Sequence, residues 1–504
     1  MKTYRAWSPG QSFLLPPSPL EWLPEGHLAY FVLELVETID LSAINAAIQQ
    51  KDARGERPYP PALMVALLLY GYATGVFSSR KIAQATHVDV AFRVLAGGTH
   101  PHFTTINEFR STYQGEVSKL FLHVLRLCRA AGLVSLGHIS VDGTKVNANA
   151  SKHKAMSYER MQSEEKRLTG EIEGLLKRAE EADHQEDAQY GVGRDAEDLP
   201  EELRMREARL ERIQRAKAAL EKEAAEGRAE ELRGQAVGQR EKAENLSVDP
   251  VERQRAQTRA EKSEAAAEAL TKRDSNDNDN DNDGAGGAPD VPKNRPPANL
   301  DGTPKPTAQR NFTDPDSRIM MRDGAVIQGF NAQAAVDAES QVIVAELVTN
   351  QAPDQEHLIP VVETAIANCG RPPDILTADS GYLSRTAIEW CESWGIDGYI
   401  AVGREAGTAV NPPGTGKDTA AQRARTAMAQ KLKTLSGKAI YARRKTVAEP
   451  PFGQIKEARR FRRFSVRGLT KVRAEWTLVC LTHNLLKLFR RVSSLEVLAM
   501  QLAT

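Results

Sequence analysis

The chain has 504 residues, Lys+Arg and Asp+Glu at 67 each, and 41 % hydrophobic residues; this is room for several cores and excludes a fibrous or wholly disordered protein. Its four cysteines, Cys128, Cys369, Cys391 and Cys480, lie far apart with no C-x-x-C pair, which excludes a disulfide framework and a zinc cluster. Met1 to Leu20 shows no basic segment followed by an apolar one, so a secretory leader is not expected and the chain reads as cytoplasmic.

In chain order, residues 1–130 read as a helical N-terminal domain, either a DNA-reading helix-turn-helix-like module or a plain bundle. His27 to Gln50 carries helical apolar spacing, Ser78 and Ser79 suit a cap, and Thr104 to Glu108 has the form of a capping box. Tyr59 to Phe77 is uncharged and nearly long enough to span a membrane, but Pro60 and Pro61 shorten it, so a buried core helix is expected. Residues 131–155 open a second domain with the strand His138 to Asp142, ended by Gly143. Residues 156–272 interrupt it with two long helices, packed as a hairpin or coiled coil. Met161, Leu168 and Leu175 approximate one heptad seam and Leu203, Leu210 and Ile213 with Leu220 another, with a loop near Gly191 to Gly193. Residues 273–310 contain NDNDNDND and several prolines and read as a linker.

Residues 311–491 resume the second domain. Strands are expected at Ala325 to Val336, Gln341 to Thr349, Asp374 to Asp379 and Gly398 to Val402. Asp354 is expected to cap a helix reaching Asn368, and a further helix covers Leu383 to Trp394. Gly403 to Ala420 reads as loop, and the part from Thr446 as helical, closing on Trp476, Leu478, Leu481, Leu485, Leu486 and Phe489. The fold class is therefore α/β, with the element order of a ribonuclease-H-like mixed sheet. From Lys431 to Arg490 the row holds sixteen Lys and Arg against Glu449, Glu457 and Glu475, a basic lobe that suits a polyanion.

Hard divalent cations take carboxylate oxygens, and phosphodiester chemistry on DNA uses them to activate the attacking oxygen and to stabilise the leaving one. Asp142 and Asp379 end strands that would lie side by side if parallel, and Glu449 opens the basic helical part. An Asp at a strand end is more often a turn former, and spacing alone does not separate the two readings. His357 reads as a helix-surface residue and His138 as structural. PPGTGKDT at Pro412 to Thr419 lacks the first glycine of a phosphate loop, so no nucleotide cofactor is expected.

The words around these acids resemble a known family. LTADSGYLS holds Asp379, and Tyr441-x-x-Arg444 precedes Glu449-Pro450-Pro451-Phe452-Gly453-x-x-Lys456. These strings, with SVDGTKVNANASKHKAMSYERM, NFTDPDSRIM, QGFNAQAAVD, LLLYGYATGVFSSRKIA and HPHFTTINEFR, resemble the DDE insertion-sequence transposases. The likeness is to the branch with the tyrosine-arginine-glutamate-lysine signature, in the group numbered eleven-eighty-two. It implies that Asp142, Asp379 and Glu449 hold Mg²⁺, with Mn²⁺ as a substitute. Tyr441, Arg444 and Lys456 would grip transposon-end DNA. Lys445 stands where the signature commonly has Arg, so Arg443, Arg444 and Lys445 compete for that role. Arg459, Arg460 and Arg463 extend the charge, and Phe461 and Phe464 either pack in the core or stack on bases.

The resemblance implies cleavage and strand transfer at terminal inverted repeats of double-stranded DNA, by a homodimer that holds two ends. Two rival readings stand beside it: a ribonuclease-H-like nuclease that cuts without joining, and a domesticated DNA-binding protein without catalysis.

Overall fold

A computed structural model describes residues 18, 21–50, 57–190, 201–244, 249–272, 295–403, 420–492 and 495. The expected Gly191–Gly193 loop, the NDNDNDND repeat and the PPGTGKDT stretch lie outside them, as does the 404–419 part of the expected loop.

Seven helices come first: α1 (Leu28–Glu37), α2 (Ser42–Gln49), α3 (Pro61–Thr74), α4 (Ser79–Val88), α5 (Val90–Leu95), α6 (Phe103–Thr112) and α7 (Gln114–Ala130). The apolar run from Tyr59 forms α3, started by Pro61 and buried on nearly every side. No single helix among the described residues is long and apolar enough to cross a membrane; only α3 with α4, bent by 98°, passes such a test as a pair. Two expected caps differ. The ring of His102, not a Thr104 capping box, accepts the Thr104 N–H at the start of α6. Ser78 precedes α4 without a side-chain cap.

The sheet strands are β1 (His138–Asn147), β2 (Ala155–Ser157), β3 (Gln309–Asn311), β4 (Arg318–Arg322), β5 (Ala325–Asp337), β6 (Ile343–Thr349), β7 (Ile375–Ala378) and β8 (Asp397–Ile400). The main sheet runs β4-β5-β1-β7-β8, with β6 on β5. β1 is antiparallel to β5 and parallel to β7, and β7 is parallel to β8, so the sheet is mixed, consistent with a ribonuclease-H-like domain. β1 does not end at Asp142. It continues through Gly143 because Gly143 lets the Gln333 side chain of β5 cross it; a Cβ there would meet that amide at 2.4 Å.

Three helices, not two, fill the interruption: α8 (Tyr158–Tyr190), α9 (Glu201–Glu244) and α10 (Pro250–Lys272). Met161 and Leu168 of α8 meet Ile213 of α9, and Ala229 and Leu232 of α9 meet Ala267 and Leu270 of α10. Pro250 starts the additional helix. β2 and β3 pair at the base of the three. The expected linker also differs at its end. Residues 295–308 form turns, with an Ala298–Pro304 bridge and an Arg295–Glu230 ion pair on α9.

The remaining helices are α11 (Leu358–Cys369), α12 (Arg385–Ser393), α13 (Ala420–Lys433), α14 (Leu435–Gly453) and α15 (Leu469–Arg491). Helix thus begins well before Thr446. Trp476, Leu478, Leu481 and Leu485 of α15 are buried. α15 packs on α3, α7 and β6, so the N-terminal helices and the sheet share one continuous core.

Candidate active site

The parallel ladder of β1 and β7 runs from His138–Ile375 to Val141–Ala378. Asp142 and Asp379 are the next residue on each strand, so the register sets them side by side on one face. Asp142 Oδ1 accepts its neighbour Gly143 N–H at 2.9 Å. Asp379 Oδ1 accepts the Gly381 N–H at 2.8 Å, which fixes the short turn after β7.

α14 packs across β1, β5, β7 and β8 and brings a guanidinium to the pair. Arg444 Nη1 donates to Asp142 Oδ2 at 3.1 Å, with the two side chains only 13 % and 18 % exposed. Burial pushes the Asp142 carboxyl above its usual range, Arg444 and the Gly143 N–H pull it back, and the charge of Asp379 adds to the rise. Burial pushes the Tyr441 phenol up, and the nearby Arg444 guanidinium opposes the rise. Lys456 is held below the usual ammonium range by burial, opposed by the carboxylates of Asp323 and Asp142. Arg444 thus pairs with Asp142, and the charges of the carboxylates reach Tyr441 and Lys456.

Behind the pair lies a network not expected from the residues. Asp354 does not cap α11. Its Oδ1 accepts Lys145 Nζ at 2.8 Å, Asn331 Nδ2 at 2.7 Å and Gln333 Nε2 at 2.8 Å. Burial acts to raise its pKa, but His357, Lys145 and Asn331 together hold it well below the carboxylate range. His357 is buried against it rather than on a helix surface. Tyr382, fully buried, donates to Gln333. A Cβ on Gly381 would meet Asp379 Oδ1 at 3.0 Å and Asp354 Oδ2 at 3.4 Å, so a side chain there would press on both acids. The signal in the sequence was the acid in QAPDQEH, one turn before an apolar helix, which also fits a cap.

Glu449 is not brought to the pair. Among the described residues no three His, Cys, Asp or Glu side chains stand close enough to hold a metal ion. Glu449 is exposed in the last turn of α14, not at a helix start, because Pro450 and Pro451 continue the helix. The Thr446 carbonyl, which loses its helical donor at Pro450, accepts Gln341 Nε2 at 2.9 Å instead. A π turn at Gln454–Ala458 follows, so Glu449 and Lys456 are not joined by two regular α-helical turns. The donor chemistry of Asp142 and Asp379 fits a hard divalent cation; the full set of three is not assembled.

The basic residues divide. Arg443, Lys445, Arg460 and Arg463 are exposed. Arg459 is not a surface cation: it is 5 % exposed and donates to the Val479 carbonyl at 3.1 Å and Thr482 Oγ1 at 2.8 Å. Burial pulls its pKa down to about 10. Phe461 and Phe464 are core residues that pack on each other. Between them and beside them, the exposed arginines sit on a stretch tied to β1, where Phe464 N donates to the Asn147 carbonyl at 2.9 Å.

Two regions match known families. Residues 299–485 match the family described as Transposase DDE domain, and residues 18–112 match Transposase domain (DUF772). No curated protein and no solved structure matches the chain. The first match contains Asp379 and the whole of α14, the second lies on the N-terminal helices, and together they span more than half of the sequence. The chain belongs to the DDE transposases of insertion sequences.

Proposed function

We propose that the chain cuts DNA at the terminal inverted repeats of an insertion sequence and joins the freed 3′-hydroxyl to target DNA. The observation that carries this reading is the register of β1 and β7, which pairs Asp142 with Asp379 beneath Arg444, Tyr441 and Lys456. Asp142 and Asp379 would hold Mg²⁺ or Mn²⁺, and Glu449 would supply the third carboxylate once DNA is seated. When bound, the metal activates the attacking oxygen and stabilises the leaving one. Lys456 and whichever of Arg443, Arg444 and Lys445 faces the scissile strand neutralise its phosphates. Arg444 is suited to a two-point grip on a phosphate, which a lysine cannot make.

The Asp354 network holds the turn after β7 rigid, so that Asp379 keeps its place when Asp142 exchanges partners. The exposed Arg460 and Arg463 extend the path for the phosphate backbone. The signature-bearing branch and a DNA-bound homodimer belong to the same reading, because two ends must be held for joining.

End-labelled duplex bearing the inverted repeats, incubated with Mn²⁺, tests the reading. Cut and joined products are expected. Asp379→Asn should lower both by about a thousandfold or more, equivalent to about 4 kcal/mol of transition-state stabilisation. Cutting without joining would leave a nuclease, and binding without cutting a DNA-binding protein; retained cleavage in Asp379→Asn would remove the site assignment.

A further inference from the structure

We propose that a basic cleft at the root of the helical insertion is a second DNA-backbone site, separate from the face that carries the carboxylate pair. The cleft, of about 370 Å³, lies between the β2 end of the sheet region and helices α8 and α9. His153, Lys154, Arg160, Arg209 and Arg212 line it, and no acidic side chain does. Ile213 and Phe312 form its apolar floor, at the edge of the small core that joins α8 to α9. Glu164, behind the rim, pairs with Arg209 at 3.2 Å and with Arg167 at 2.8 Å, so it offsets part of the charge of Arg209, while the lining itself keeps Lys154, Arg160 and Arg212 with no acidic side chain among them.

Three features point to the occupant. Five cationic or protonatable groups around one opening attract a polyanion, and phosphates are the anions this chain's DNA substrate carries. The floor gives the sugar edges between phosphates an apolar surface, while the flexible cationic stems keep their heads at the rim. The cleft is also tied through the backbone to the arginine stretch around Phe464. Asn149 Nδ2 donates to the Ser465 carbonyl at 2.9 Å, and Arg467 Nε donates to the Asn149 carbonyl at 3.0 Å. Three residues later the chain reaches Lys152, His153 and Lys154, and Phe312 N holds the Lys154 carbonyl at 3.0 Å. The segment from Asn149 to Lys154 therefore joins the arginine stretch at 460–467 to the cleft. The insertion is thus more than a spacer: α8 and α9 supply three of the five basic groups.

This rests on the reading that the chain acts on DNA, and the experiment keeps the two apart. The full-length chain and the combined variant Lys154→Ala, Arg160→Ala, Arg212→Ala are titrated with a mixed-sequence duplex across a range of salt. All three side chains are exposed, and thermal unfolding checks that the variant folds; Lys154→Gln with Arg160→Gln serves if it does not. The variant is expected to bind on the order of tenfold more weakly at about 0.1 M salt, with a log–log salt slope shallower by about 2 to 3. A folded variant with unchanged affinity and slope overturns the cleft as a DNA site and leaves the transposase reading standing. No duplex binding by the unaltered chain overturns both. Unchanged DNA binding with lost binding of an acidic peptide assigns the cleft to a protein and also overturns the proposal.

Discussion

Two places in the molecule combine a carboxylate, an arginine and a tyrosine, and their difference shows how the same side chains take different roles. In the first, Tyr72 donates to Glu475 Oε1 at 2.7 Å, Arg110 Nη1 donates to Tyr72 at 2.7 Å, and Ser465 N donates to Glu475 Oε2 at 2.8 Å. Arg110 and Glu475 are 7 % and 0 % exposed at 3.5 Å. This cluster clamps α3 and α6 to α15 and offers no atom to an outside molecule. In the second, Asp142, Arg444 and Tyr441 are partly open, Arg444 makes one ion pair, and a second carboxylate stands beside the first. The sealed set serves stability and the open one suits chemistry.

Substitutions break the comparison from each side. Asp142→Asn should remove cutting by about a thousandfold or more while shifting unfolding stability by less than about 1 kcal/mol; end-labelled cleavage and denaturant melts read the two. Glu475→Ala should do the opposite. It leaves Arg110 buried without its acid, at a cost of about 3–5 kcal/mol, while the folded fraction keeps its cleavage rate. A Glu475→Ala protein with wild-type stability and lost cleavage would reverse the assignment.

The buried histidines sharpen the stability side. Burial, with Arg443 nearby, pulls His138 down to about 4, and burial with Arg459 pulls His483 down to about 3. Both folded values lie below the unfolded value of about 6.5. The unfolded chain therefore binds more protons across that interval. Stability is whole above about pH 6.5 and falls as acid is added, by about 1.4 kcal/mol per pH unit for each histidine. Urea melts between pH 7 and pH 4 measure this, and His483→Gln should flatten part of the slope. The smallest effect belongs to a single exposed cation: Arg463→Ala should lessen the salt slope of DNA binding by about 0.9, whereas Arg459→Ala should lower stability instead.

Much of the carboxylate pair was legible because it rests on strand words. HISVD and ILTAD are apolar runs that end in acid, and parallel pairing of such runs leaves the acids adjacent. The fate of the basic run was not legible. Arg459 and Arg460 are chemically alike, and the fold decides between them: Arg459 is buried against Tyr72, Val479 and Thr482, and a Cβ on Gly75 would meet its carbonyl at 2.7 Å. Glu449 reads as opening the basic helical part, yet Pro450 and Pro451 continue a helix that begins at Leu435, and Gln341, from a distant turn, takes the Thr446 carbonyl left over. Asp354 was read as a local cap, whereas its partners come from β1 and β5. Each miss is a local signal answered by a residue far away in sequence.

The ladder that joins β1 to β7 has a consequence for synthesis. His138 Nε2 meets Thr377 Oγ1 at 3.0 Å across 239 positions of chain. A ribosome must therefore release the whole helical insertion before the two aspartates can meet. A polypeptide that stops within the insertion carries Asp142 without Asp379 and cannot form the pair.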